Sequence, residues 1–274
     1  MLAHKWRLIS GRASRLFSGS RFLRLFLAAS LAFLIYWLWL RLASEGFQYE
    51  WQWNRVWRHF GHFTQAGFVP GPLLEGVLMT LGIAGLGICL ATVCGISAAI
   101  FRLSPWPACV LVSRVYVTLW RNTPLLLQLF FAYFLVSPLL SLSPFWTAVT
   151  ALGLFEGAYL AEVFRAGLLG VDRGQWEAAL SLGLNVGQAF RLVILPQAIR
   201  NMLPALTNQA IALLKDTSLV SAIAVADLTM RSQAIVAETF LAFEVWLLAG
   251  AIYLLIALCL ALPSLWLERR RRWQ

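Results

Sequence analysis

The chain has few acids and almost no histidine: 12 Asp and Glu stand against 22 Lys and Arg, with three His in 274 residues. No histidine falls in a long apolar run and no H-E-x-x-H occurs, which excludes the common helix-borne zinc hydrolase. The G-x4-G-K-[ST] loop is also missing, and with it the usual backbone cradle for a nucleotide. The four cysteines, Cys89, Cys94, Cys109 and Cys259, form no CxxC pair and no Cys/His cluster. That argues against a disulfide framework or a zinc site. His59 and His62 are close enough in sequence to share a metal, but no carboxylate or thiol stands near them, so a solvated or interfacial role is expected. No catalytic, cofactor-binding or metal-ligating set is expected on this chain, and it does not read as an enzyme.

What the chain has is apolar length. Sixty per cent of its residues are hydrophobic, including 13 Trp and 18 Phe, and its mean hydropathy is +0.74. Runs of about 18 or more apolar residues can cross the hydrocarbon core. Several occur, so an all-α integral membrane protein of about six transmembrane helices is expected. The spans are placed near 25–40, 76–101, 124–136, 145–164, 203–225 and 243–266. A short amphipathic helix is expected ahead of the third, because Arg121-Asn122-Thr123-Pro124 interrupts its apolar run. Residues 137–144 and 227–238 read as connections on the outer side.

The net charge of +10 is compatible with nucleic acid, but its distribution fits membrane orientation better. With both termini inside, the cytoplasmic segments hold six, three, four and four Lys or Arg, seventeen of the 22. Residues 1–24 carry six of them and no acid. A cleaved signal peptide has a similar layout. The long basic region and poor cleavage site indicate a retained first span, making a multi-pass protein with both termini cytoplasmic. Residues 44–72, rich in Trp and Tyr, suit an interfacial belt. The span at 76–101 is rich in Gly and Ala, which let helices approach closely in lipid.

Ionisable groups inside spans are costly and tend to face a bundle interior or water. Glu156 and Glu162 lie in the fourth span, with Arg165 available to pair with Glu162. Lys215 and Asp216, next to Thr217, interrupt the fifth; being adjacent, they cannot share a helix face, so each needs its own partner or an unwound turn. Together with Arg121, Asn122 and Thr123, these are the candidate pathway residues. Both charge signs are present, so the residues alone leave open whether an acidic or a basic solute passes.

One polar stretch stands apart, QWEAALSLGLNVGQAFRLVILP over 175–196. It reads as two short helices around a glycine. Asp172 can cap the first, Gly183 suits a left-handed stop, and Asn185 can cap the second. The missing amide of Pro196 marks an expected end.

Glu177, Ala178, Ala179, Gly183, Phe190 and Leu195-Pro196 resemble the EAA loop of permease subunits of ATP-binding-cassette (ABC) importers. RNTPLLLQLFFAYF over 121–134 and KDTSLVSAIAVADL over 215–228 narrow the resemblance to the polar amino-acid permeases, which carry histidine, glutamate, glutamine or arginine. The resemblance covers about 72–268 and implies a five-helix permease core, here preceded by one extra helix within residues 1–71 and followed by a basic tail at 269–274. It implies that the loop, within 165–200, docks on a separate ATPase subunit that holds ATP and Mg. Glu177 would give a polar contact there, Ala178 and Ala179 would fit a groove, and Gly183 would set the angle. It also implies a second permease subunit, identical or related, a periplasmic amino-acid-binding protein, and residence in the bacterial inner membrane. An ion-gradient-driven secondary transporter would account for the intramembrane charges, but it lacks paired inverted repeats and leaves the EAA stretch without a use. A non-transporting membrane scaffold leaves the same charges unexplained.

Overall fold

A computed structural model describes residues 26, 28–37, 40, 49–65 and 67–271. The basic N-terminus, part of the span expected at 25–40 and the last residues of the basic tail lie outside them. The chain divides into two units, Met1–Trp51 and Gln52–Gln274. The first contains α1, Ala28–Trp37, an apolar helix exposed all round.

The second unit opens with α2 (Trp53–Val56), a tighter turn at Trp57–His59 and a hairpin of β1 (Gly61–Thr64) and β2 (Gly67–Pro70), paired in register from Gly61 with Pro70 to Thr64 with Gly67. Then α3, Pro72–Leu103, starts with proline at its first turn, where no amide bond is lost. After α4 (Pro107–Arg121) the chain bends by 104° into α5 (Leu125–Phe131), a wide π turn (Ala132–Val136) and α6 (Ser137–Leu140). Next come α7 (Pro144–Leu169), α8 (Arg173–Ser181) and α9 (Val186–Ala189). A second π turn, Phe190–Ile194, leads directly into α10 (Leu195–Asp216), and a 3-10 turn over Thr217–Ile223 follows. The last helices are α11 (Leu228–Thr239) and α12 (Ala242–Arg271).

Among the described residues three helices are long and apolar enough to cross a membrane, α3, α7 and α12, and the bent pair from Pro107 to Leu140 makes a fourth if it is counted as one span. The expected amphipathic helix before a bend at Arg121–Pro124 is therefore present. The fifth span of the sequence reading corresponds to α10 and its 3-10 extension. With 22 residues α10 is about 33 Å long. Its Gln, Arg and Asn keep it from reading as an apolar run, so it does not count among the apolar spans of the described residues. The span begins at Leu195 rather than near 203, and the unwinding expected at Lys215–Asp216 occurs at the helix end. The stretch 227–238, read as a connection, is the helix α11, capped where Asp227 Oδ1 accepts the Met230 amide at 2.8 Å. Burial pushes the Asp227 carboxyl up from its usual range, while hydrogen bonds from Met230, Thr229 and Tyr253 pull it down.

The centre of the bundle is the seam between α3 and α7. The two run parallel: Gly82 approaches Phe145, Gly153 approaches Leu90, and Gly95 approaches Leu160. A Cβ on Gly95 would stand 2.7 Å from that of Leu160, and one on Gly157 2.7 Å from the Tyr116 hydroxyl and 2.9 Å from Cys94 Cβ. The small residues thus bring two backbones into contact, the arrangement that drives helix association in lipid. α4 is tied across this seam by Ser113 Oγ donating to the Ala98 carbonyl at 2.8 Å and the Tyr116 hydroxyl to that of Leu154 at 2.6 Å. α10 runs antiparallel to α7, with Met202 against Gly167 and Gln209 against Glu156. One end of the bundle therefore gathers Pro72, Ser141 and Asp227, and the other gathers Leu103, Leu169 and Leu195.

Both π turns precede a proline by two residues. In a regular helix Pro196 would remove the bond to Leu192 and its ring would crowd that carbonyl. The wide turn at Phe190–Ile194 opens the helix there and lets it continue, as the turn at Ala132–Val136 does before Pro138. Pro196 therefore does not end the second short helix. It lies at the start of a long one.

Candidate functional site

Two features at and near the Leu169–Leu195 end carry the candidate residues. The first is the knuckle formed by α8 and α9. Asp172 Oδ1 accepts the Gly174 amide at 2.6 Å and starts α8. Gly183 ends it at φ +81°, with nothing within 4 Å of where a Cβ would stand. Asn185 and Gln188 then cap α9 reciprocally, each side-chain oxygen taking the other's amide, at 2.9 and 3.0 Å. The three signals read from the sequence are all in place because each is local.

The knuckle has an inner and an outer face. Ala179, only 3% exposed, faces the chain's own core, so it is not available to fit a partner's groove. Glu177, Ala178 and Pro196 are exposed, and Leu182, beside Gly183, is 83% exposed. Leu182 was missed in the sequence because a leucine in an apolar chain is an unremarkable residue. Phe190 stacks on Trp176, ring centroids 6.3 Å apart, and so joins the second helix to the first. Gln197 Nε2 donates to Gln175 Oε1 at 3.1 Å, attaching the knuckle to α10. A displacement of α8 would therefore be felt by α10.

The second feature is a cavity of about 520 Å³ between α7, α10 and the end of α4. Arg121, Tyr159, Glu162, Asn201 and Gln209 supply its polar lining. The Arg121 guanidinium lies 4.9 Å from the Tyr159 ring centroid, a cation-π contact. Glu162 accepts from Arg165 at 2.7 Å, the pairing the sequence predicted. Behind the cavity Glu156 is buried, and Gln209 Nε2 donates to its Oε2 at 2.7 Å. That bond gives the buried carboxylate a partner on α10, the helix that forms the other wall of the cavity.

The other pathway candidates are elsewhere. Asn122 donates to the Thr118 carbonyl at 2.8 Å, and the Thr123 hydroxyl donates to that of Leu119 at 2.9 Å. Gln128 reaches back to Thr123. These residues brace the 104° bend. Lys215 is exposed and Asp216 half-buried at the far end of α10, and the buried Thr217 donates to the Leu214 carbonyl at 2.6 Å. Tyr159, Asn201 and Gln209 were not singled out in the sequence. A signal was available: 201, 205 and 209 lie four apart, one face of a helix. Among the described residues no cluster of three His, Cys, Asp or Glu could hold a metal ion.

The chain as a whole is similar to known proteins. The chain is 40% identical over 203 residues to the glutamine transport system permease protein GlnP of Escherichia coli, covering 73% of this chain and 93% of that one. It is 34% identical over 200 residues to the arginine transport system permease protein ArtQ of Bacillus subtilis, covering 72% and 91%. A crystal structure of an amino acid ABC transporter with histidines superimposes with a TM-score of 0.67 at 37% identity, over 73% of this chain and 94% of the matched one. Residues 91–273, which include the knuckle and the cavity, match the family described as the binding-protein-dependent transport system inner membrane component. The chain belongs to that family.

Proposed function

We propose that this chain is the permease subunit of an ABC importer for polar amino acids, driven through its knuckle by a separate ATPase subunit. The observation that carries the reading is the knuckle itself. It is a rigidly capped, water-exposed element at one end of an apolar bundle, presenting Glu177, Ala178 and Leu182 outward while Ala179 and Phe190 hold it to the chain. An element so exposed and so firmly mounted suits transmission of force from a soluble partner. That partner would hold ATP and Mg; a second permease subunit and a soluble amino-acid-binding protein would complete the assembly. The knuckle would face the cytoplasm, with both chain termini on that side, in agreement with the distribution of Lys and Arg.

In the mechanism we favour, closure of the ATPase draws two knuckles together, and the bond from Gln197 to Gln175 helps turn α10 against α7, a rigid-body change that moves a site between two faces. The cavity between these helices is the pathway candidate. It offers a cation at Arg121, an acid at Glu162 and an amide at Gln209. That mixture suits the zwitterionic backbone of an amino acid better than either charge alone. The relatives named for glutamine and for arginine support this substrate class. The ion-gradient alternative draws no support from them.

The test is uptake by proteoliposomes containing this chain with its ATPase, permease and binding-protein partners. Labelled glutamine, glutamate, arginine and histidine are supplied with and without ATP. ATP-dependent uptake of one, abolished by Glu177→Lys with the complex still assembled or by loss of docking, supports the reading. Uptake that follows an ion gradient and ignores ATP overturns it.

A further inference from the structure

The end of the bundle opposite the knuckle carries an element that precedes the family match, the segment from Gln52 to Pro70. Its first half is firmly seated. Val56 is fully buried among Leu73, Leu228, Ile235 and Val245, and the Gln52 amide donates to Glu244 at 2.8 Å. The Gly71 amide closes the segment on the Phe60 carbonyl at 2.7 Å. Its second half is the hairpin β1–β2, which no described residue covers. Phe63 is 85% exposed, and Phe68 and Val69 are exposed on the facing strand. A lone two-stranded hairpin is marginal in water unless something packs against it. This one projects its largest apolar side chains outward.

The surroundings indicate what covers it. Pro70 is two residues from the start of α3, so chain continuity holds the hairpin at the boundary of an apolar span. From Gln52 to Leu74 there is no acid, but there are Arg55 and Arg58, both exposed, together with the exposed Trp57. Trp and Tyr rings settle at the headgroup level of a bilayer, Phe serves on the apolar face of interfacial elements, and arginine near that level gains from anionic phosphate. Within the hairpin the Phe68 ring lies over Gly61, at φ +154°, and packs edge-on against Phe63 at 5.2 Å. An aromatic pair flanked by cations results.

We propose that β1–β2 is a lipid-interface anchor, inserting Phe63 and Phe68 among the headgroups of the leaflet opposite the knuckle while Arg55 and Arg58 engage anionic phospholipid. The proposal rests on α3 crossing the membrane, and the knuckle could act with or without it.

The experiment uses the full chain in lipid nanodiscs, with the four native cysteines replaced by serine and an environment-sensitive fluorophore at Phe63→Cys, Leu86→Cys or Ser181→Cys in turn. For Phe63, quenching by a lipid nitroxide placed near the headgroup is expected to exceed that by a deep nitroxide about two-fold. Aqueous iodide should quench it several-fold less than it quenches the label at the exposed Ser181. The contrast should strengthen when neutral lipid is exchanged for a mixture with phosphatidylglycerol, and Arg55→Gln with Arg58→Gln should remove that gain. Iodide quenching equal to that at Ser181 would overturn the anchor, as would protection that appears only when a soluble binding protein is added. The label at Leu86, in mid-α3, reports separately whether that helix crosses, since deep nitroxides must quench it.

Discussion

The knuckle and the α3–α7 seam differ in where their order comes from. In the knuckle almost every defining bond is local: Asp172 to Gly174, Asn185 to Gln188, Leu182 to Ala178. In the seam the partners are about sixty residues apart, as with Gly95 and Leu160 or Leu90 and Gly153. The knuckle is exposed and held by caps, whereas the seam is buried and held by the absence of side chains. The coupling role proposed for the knuckle requires it to keep its shape while its outer face stays free, which local capping permits. A seam between two long helices must hold them in fixed register, which needs close backbone contact along their length.

Breaking the seam should therefore have the largest effect. In Gly157→Val the new Cβ meets the Tyr116 hydroxyl, Cys94 and the Ala91 carbonyl, all within 3.2 Å, and neither helix can retreat without losing the other contacts. Overpacking of this kind costs about 1–3 kcal/mol, and here it also threatens the bond from Tyr116 to Leu154. The expected outcome is a lower melting temperature in detergent and poor recovery of monodisperse protein. Wild-type thermal stability would show that the parallel seam is looser than its geometry indicates.

Gly183→Val tests the knuckle. There is open space around that glycine, so no contact is lost, but a β-branched residue at φ +81° must leave the left-handed region or bear its strain, roughly 1–2 kcal/mol. The angle between α8 and α9 should change while the bundle stays intact. Insertion and melting temperature are expected near wild type, with ATPase stimulation and uptake strongly reduced. Normal uptake would mean that the angle at Gly183 does not matter for coupling. Paired with Gly157→Val, the result separates loss of fold from loss of transmission.

The same division decides what the sequence could disclose. Asp172, Gly183 and Asn185 were legible because a cap needs only neighbours within three or four residues. Pro196 was misread for a physical reason: a proline ends a regular helix, and nothing in Phe190–Ile194 announces the wider turn that accommodates it. Ala179 was assigned outward because its burial depends on how α8 lies against the rest of the chain. The charges of the fourth span were noticed, but Gln209, the hydrogen-bond partner of Glu156, is 53 residues away. The polar helix α11 was taken for a connection because it is short and shows no apolar periodicity of its own; it is held by Asp227 and by contacts to α3 such as Arg231 with Glu75 at 2.8 Å.

The smallest expected effect sharpens the contrast most. Asn185→Ala removes the oxygen that takes the Gln188 amide, while Gln188 can still accept the amide of residue 185. Loss of an N-cap costs about 1 kcal/mol, and in a bundle held by its seam that loss should stay within the knuckle. Hydrogen exchange is the suitable measurement. Amides at 187–190 should exchange up to about five-fold faster, as expected for a loss of that size, while those of α3 and α7 should not change. If the capping box were the source of the knuckle's rigidity, Asn185→Ala with Gln188→Ala would further accelerate exchange in the same few residues and reduce ATPase stimulation in step. Faster exchange that spread into α7 would instead mean that knuckle and seam unfold together, and that the local order of one depends on the long-range order of the other.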